Sequence, residues 1–170
     1  MSERSEALTD TGGESVVLDE PGLCAWGEAL GRAAEGAAVF VALYGELGAG
    51  KSTLVRAACR ALGVAGAVPS PTFTLVNIHA GAEGPIHHAD LYRLDPPVSS
   101  KTLVDAGWPE LLEAEGPVFV EWADRAGDWL PPDRWDVALT RTAGNSGVRL
   151  VSVRTRGNVV EPPAPVDFAA

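Results

Sequence analysis

Residues 38–53, Ala38-Val39-Phe40-Val41-Ala42-Leu43-Tyr44-Gly45-Glu46-Leu47-Gly48-Ala49-Gly50-Lys51-Ser52-Thr53, decide how the rest of the chain is read. An apolar, β-prone run stops at Gly45 and a helical pattern opens at Thr53. Between them Gly45, Gly50, Lys51 and Ser52 satisfy G-x-x-x-x-G-K-[ST], a phosphate-binding P-loop set between a strand and a helix. Glycines without a Cβ let the backbone turn its N–H groups inward around phosphate oxygens. The helix N-terminus adds unpaired N–H groups and the positive end of its dipole, while Lys51 reaches the β and γ phosphates. Ser52 offers a hydroxyl to Mg2+, and Thr53 a further phosphate contact. Lysine occurs only at Lys51 and Lys101, so its arrival at the required position is not a by-product of composition. The motif implies binding of a nucleoside triphosphate through residues 45–53: Gly45, Glu46, Leu47, Gly48, Ala49, Gly50, Lys51, Ser52 and Thr53.

Around this segment, 170 residues with 46% hydrophobic content suffice for one sizeable core and are short for two. A net charge of −10 opposes independent binding to DNA or RNA, whose phosphates repel an acidic surface, so any role near RNA is expected to run through a partner protein. The P-loop escapes this objection because local backbone dipoles and one lysine make its anion site. No apolar run is long enough to span a membrane, and Met1-Ser2-Glu3-Arg4-Ser5-Glu6 lacks the basic start and apolar core of a signal peptide; a cytoplasmic protein is expected. Cys24 and Cys59 lie in apolar helical patterns without metal-ligand spacing and read as buried free thiols.

In chain order, residues 1–14 read as a flexible tail and 16–18 as a short strand. Leu23, Trp26, Leu30 and Ala33 recur at helical spacing over 22–34, with Gly36 as a stop. Trp26 is assigned to core or interface. A second helix is expected over 53–62, ending at Gly63, followed by Pro69-Ser70-Pro71, which cannot be helical. Extended runs at 72–79 and 86–91 read as a hairpin around 81–84, and helical character returns at 108–115. Gly116-Pro117 breaks it before the strand 118–120, and 134–140 with 148–154 read as another hairpin joined by 144–147. Residues 157–170, rich in proline, read as a flexible tail. The expected architecture is α/β: a single P-loop NTPase domain over 15–156 with a mixed β-sheet flanked by helices.

A P-loop needs a carboxylate for Mg2+ and, for hydrolysis, a group that positions water. Glu121 follows the apolar Val118-Phe119-Val120, at the strand edge where ligands of open α/β sheets collect. Asp90 ends the less apolar Ile86-His87-His88-Ala89, so spacing favours Glu121 beside the metal. His79, His87 and His88 lack the spacing of a zinc centre and read as hydrogen-bonded strand histidines. Tyr92, Arg93 and Arg125 could reach phosphate or a partner, with a surface ion pair the alternative for Arg125.

Four motifs in order, 45–53, Ser70-Pro71-Thr72-Phe73, His88-Ala89-Asp90-Leu91-Tyr92-Arg93-Leu94 and Glu121-Trp122, resemble the TsaE (YjeE) family, P-loop ATPases of tRNA threonylcarbamoyladenosine biosynthesis. The resemblance covers roughly residues 20–135; Ser52 stands where the family often has threonine and Ala89 where a bulkier residue is usual. It implies ATP and Mg2+ as ligands and TsaD and TsaB as partners. It implies a role in repeated turnover of threonylcarbamoyl transfer to the adenosine beside the anticodon. By motif, Lys51 and Ser52 match the phosphate and Mg2+ residues, residues 70–73 a nucleotide-responsive switch, and Asp90, Glu121 and Trp122 further site positions. Lys51, Asp90 and Glu121 are then the expected catalytic residues, with Ser52, Asp90 and Glu121 at the metal and Trp122 beside the nucleotide. Two other readings compete with an ATPase. One is a small-molecule kinase, for which no arginine-rich lid is evident among the scattered Arg125, Arg134, Arg141 and Arg149; the other is a nucleotide-binding module without hydrolysis. No N-K-x-D stretch is present to read guanine.

Overall fold

The P-loop strand lies at the middle of a seven-stranded sheet. The computed structural model describes residues 15–169; the tail expected at 1–14 lies outside them. In chain order the elements are β1 (Val16–Asp19), α1 (Glu20–Ala34), β2 (Phe40–Tyr44), α2 (Lys51–Ala61), β3 (Val76–Ala80), β4 (Pro85–Asp90), α3 (Ser100–Asp105), α4 (Trp108–Leu112), β5 (Val118–Glu121), β6 (Arg134–Thr142) and β7 (Asn145–Arg156). The sheet order is β1-β7-β6-β2-β5-β4-β3. β2 runs parallel to both β5 and β6, and β4 parallel to β5, while β3, β7 and β1 pair antiparallel at the edges. The mixed sheet and its flanking helices are those the sequence led one to expect.

Alternation along β2 divides the core in two. Val41 and Leu43 face α1 and α2 together with Trp26, Leu30, Leu54, Val55 and Phe119. Phe40, Ala42 and Tyr44 face the opposite side, with Leu103, Trp108 and Leu111 of the two short helices α3 and α4. Successive residues of a strand point to opposite faces, so a strand buried on both sides must be apolar throughout, as β2 is. On the first side α1 lies directly on α2. A Cβ at Gly31 would fall 2.5 Å from the carbonyl oxygen of Ala58, and one at Gly27 would fall 2.8 Å from that of Leu54. The two backbones can approach this closely only because those positions are glycine. Asp19 caps α1 by accepting from Gly22 N at 2.8 Å.

Several boundaries differ from the sequence expectations. α2 begins at Lys51, so Lys51 and Ser52 occupy its first turn. Residues 72–75 are turns instead of strand, and Leu75 is left-handed at φ +65°. Helix α3 was not foreseen: of its side chains only Leu103 is buried, too little to make a periodic signal. Cys59 is buried, which pushes its thiol up to about 12, but Cys24 is only partly covered. The proline-rich segment after Gly157 departs most from expectation, because it is packed. Trp26 Nε1 donates to Pro163 O at 2.9 Å, Trp135 Nε1 to Val160 O at 2.7 Å, and a short 3-10 turn at Pro165–Phe168 lies against α1 and β1. Both indole N–H groups are thereby satisfied where they leave the core.

Candidate nucleotide site

The C-terminal ends of β2, β4 and β5 converge on the P-loop. Gly45 and Gly50 carry φ of +145° and +108°, and a Cβ would lie 2.3 Å from Leu139 O at the first and 2.9 Å from Leu23 Cδ2 at the second. Sterics and backbone conformation therefore both demand glycine there. Lys51 is buried, and its Nζ donates to Gly45 O at 2.6 Å and Glu46 O at 2.9 Å. Burial draws the Lys51 ammonium below its ordinary pKa, against the opposing pull of Glu121, Asp90, Asp124 and Glu46.

Glu121 and Asp90 are directly opposite one another in the parallel β4–β5 pair. Both are buried. Glu121 Oε2 accepts from Ser52 Oγ at 2.8 Å, and Oε1 lies 2.8 Å from His88 Nε2, itself fully buried. Asp90 Oδ2 accepts from Ser70 Oγ and from Thr72 Oγ1, each at 3.1 Å, and Oδ1 accepts from Tyr92 N at 2.9 Å. The structure thus brings Asp90, the acid that spacing alone ranked second, to the same place as Glu121.

Trp122 adopts φ +57°, an uncommon conformation for a bulky residue, and this carries its ring to 4.1 Å from Lys51 Nζ. Tyr92 packs beside it with ring centres 5.0 Å apart. Arg125 packs against this aromatic pair. Its guanidinium lies 5.4 Å from the Trp122 ring and 5.7 Å from that of Tyr92, and Nη1 donates to Leu94 O. Loop, acids and aromatic wall enclose a cleft of about 380 Å3.

The residues fit a Mg2+ ion. Ser52 Oγ and the two carboxylates are hard oxygen donors beside the phosphate loop, too few for an all-protein cage and suited to a cation that keeps water and phosphate ligands. Among the described residues no group of three or more His, Cys, Asp or Glu side chains converges as a metal centre. Of the histidines, His88 supports Glu121, and the His79 ring lies 6.1 Å from that of His88. Burial lowers the pKa of both His79 and His87, with His88 adding to the effect at His79.

A family model described as "Threonylcarbamoyl adenosine biosynthesis protein TsaE" matches residues 18–149. The chain belongs to the TsaE family. Curated relatives named tRNA threonylcarbamoyladenosine biosynthesis protein TsaE agree with this. One from Nostoc sp. is 34% identical over 66% of this chain and 68% of its own length. Another from Streptomyces coelicolor is 36% identical over 69% and 80%, and a third from Bacillus subtilis is 31% identical over 70% and 71%. The crystal structure of YdiB from Bacillus subtilis superposes with a TM-score of 0.66 over 85% of this chain and 88% of that one, at 24% identity, and supports the fold. The stretch matched to TsaE runs from β1 to the start of β7 and so includes the whole cleft.

Two cleft-side residues had escaped the sequence reading as members of this site. His88 precedes Asp90 by two positions on one strand, so alternation would have placed both on one face. Arg149, counted among scattered arginines, lines the cleft from β7, and only the tertiary fold brings it there.

Proposed function

We propose that this TsaE-family protein is a cytoplasmic ATPase that binds and hydrolyses ATP–Mg2+. In this reading it supports repeated threonylcarbamoyl modification of the adenosine beside the tRNA anticodon, acting with TsaD and TsaB and meeting tRNA only through them. The observation that carries the ATPase reading is the hydrogen bond between Ser52 in the first turn of α2 and Glu121 at the end of β5, which joins the phosphate loop to a buried carboxylate. The pathway assignment rests on family membership.

In this mechanism the loop N–H groups and Lys51 take up the triphosphate, Lys51 exchanging its two carbonyl acceptors for β and γ oxygens. Ser52 and Glu121, already joined by a hydrogen bond, would hold the cation, which would supply positive charge to offset that developing on the phosphates. Asp90, one strand further out, orients the attacking water. Donors aimed at the developing charge account for most of the rate. Trp122 closes the side of the cleft above Lys51.

Hydrolysis assayed with the purified protein alone and with TsaD and TsaB tests the reading. Partner-stimulated phosphate release is expected, lost in Lys51→Ala and Glu121→Ala, with no phosphorylated small acceptor formed. ATP binding without hydrolysis under all these conditions would reject the ATPase in favour of a nucleotide-binding module.

A further inference from the structure

Helices α3 and α4 cover one face of the sheet over its middle strands, and the core they close contains no residue of β1 or β7. On that face Val17 and Leu150, cross-strand partners, are 48% and 39% exposed. Farther along β7 the same alternation brings Arg154 and Arg156 to this face, and β6 adds Arg134 and Asp136. This end of the sheet lies away from the P-loop, because β6 runs parallel to β2 and draws level with Tyr44 only at Ala138.

Asp136 is buried and its carboxylate is already engaged. Oδ1 accepts from Arg134 Nε at 2.7 Å and from the Tyr44 hydroxyl at 3.1 Å, and Oδ2 accepts from Arg156 Nε at 2.8 Å. Arg154, directly opposite Asp136 across the strands, is exposed and makes no hydrogen bond or ion pair among the described residues. Three guanidinium groups thus meet one carboxylate, a local excess of positive charge on a chain whose net charge is −10.

The backbone beside these arginines is open as well. β7 pairs with β6 as far as Arg156, whereas the four residues of β1 cover its other side only at Val148–Val151. On that side residues 153–156 have no strand next to them and no other backbone partner among the described residues. Unpaired N–H and C=O groups along a sheet edge are a template for another strand. Cross-strand neighbours share a face, so a strand added here would set one residue beside Arg154 and another, two positions on, beside Arg156. Residues alternating with these would lie on the other face, next to Val153, which packs on the first core.

We propose that this edge docks an extended peptide of a partner protein by strand addition, with acidic side chains in alternate positions reaching Arg154 and Arg156 and apolar ones between them meeting Val153. The backbone supplies the pairing, and the arginines select the sequence. The nucleotide cleft, at the opposite end of β2, takes no part.

Fluorescence anisotropy and amide hydrogen exchange on the full chain test this, with a labelled alternating Glu-Val peptide as the probe and an alternating Gln-Val peptide as the control. The Glu-Val peptide is expected to bind about tenfold more tightly than the control and to lose about tenfold in Arg154→Ala, with most of the loss restored in Arg154→Lys. Because Arg154 is exposed and unpartnered, its removal should leave the melting transition unchanged. Bound peptide should slow exchange of the outward-pointing amides among 153–156. Binding without that protection would reduce the site to a charge contact and overturn strand addition. Equal binding of the two peptides, or of neither, would also overturn the proposal, as would slow exchange at these amides in the chain alone, which would show the edge already covered. Tighter binding of a single-stranded oligouridylate than of the peptide, lost in Arg154→Ala, would make the arginines a phosphate surface instead and reject the peptide.

Discussion

Glu121 and Asp90 sit side by side at the ends of adjacent parallel strands, yet they belong to differently built regions. Glu121 is tied inward, to Ser52 on the P-loop helix and to His88 within the sheet. Asp90 is tied outward, to Ser70 and Thr72 of a surface segment that also carries Phe73, 86% exposed, and the left-handed Leu75. One carboxylate is held by groups that packing immobilises, the other by a loop with few buried contacts, and segments of that kind open at low free-energy cost. Under the proposed function this difference divides the labour: Glu121 would keep a fixed geometry for the cation, whereas Asp90 would join the cleft to a surface that a partner could move.

The largest effect expected from this contrast is on turnover. Glu121→Gln should lower ATP hydrolysis about 100-fold or more, and Asp90→Asn less, because the first removes a charge beside the cation; a larger loss for Asp90→Asn in steady-state assays would reverse the assignment. Removing the loop's grip with Ser70→Ala and Thr72→Val together should cost about tenfold in partner-stimulated turnover. Basal hydrolysis should change far less, and equal losses in both would show that the loop serves the chemistry alone. On the inward side, His88→Ala leaves buried Glu121 Oε1 without its imidazole and is expected to destabilise the fold by about 1–3 kcal/mol in urea unfolding. A smaller cost would mean that Glu121 finds another donor. The smallest effect belongs to Phe73→Ala, whose unfolding free energy should stay within about 0.5 kcal/mol of the parent. A larger drop would show that the loop packs more firmly than its exposure indicates.

The inward region was the more legible of the two. Strand, glycine loop, lysine and helix follow one another along the chain, so local pattern suffices to place them, and the apolar Val118-Phe119-Val120 announces Glu121. Asp90 was weaker by pattern because His87 and His88 interrupt its strand. The structure shows why a buried strand tolerates them: His88 spends its Nε2 on Glu121, and no run of letters displays a partner on another strand. Arg149 reaches the cleft only through the β6–β7 hairpin, and proline content argued for a loose end where two tryptophans instead supply hydrogen bonds. In each case what composition hid was a long-range contact.

That last segment bears on how the molecule is made. Trp26 is among the first large core residues to leave the ribosome and Trp135 among the last, yet the carbonyls that both indoles use, at Pro163 and Val160, are translated later still. Until those residues emerge, each nascent indole must borrow water at the margin of an unfinished core. The early helix therefore waits for a late clasp, and a ribosome stalled before Val160 would hold a chain with its P-loop already translated and its core not yet latched.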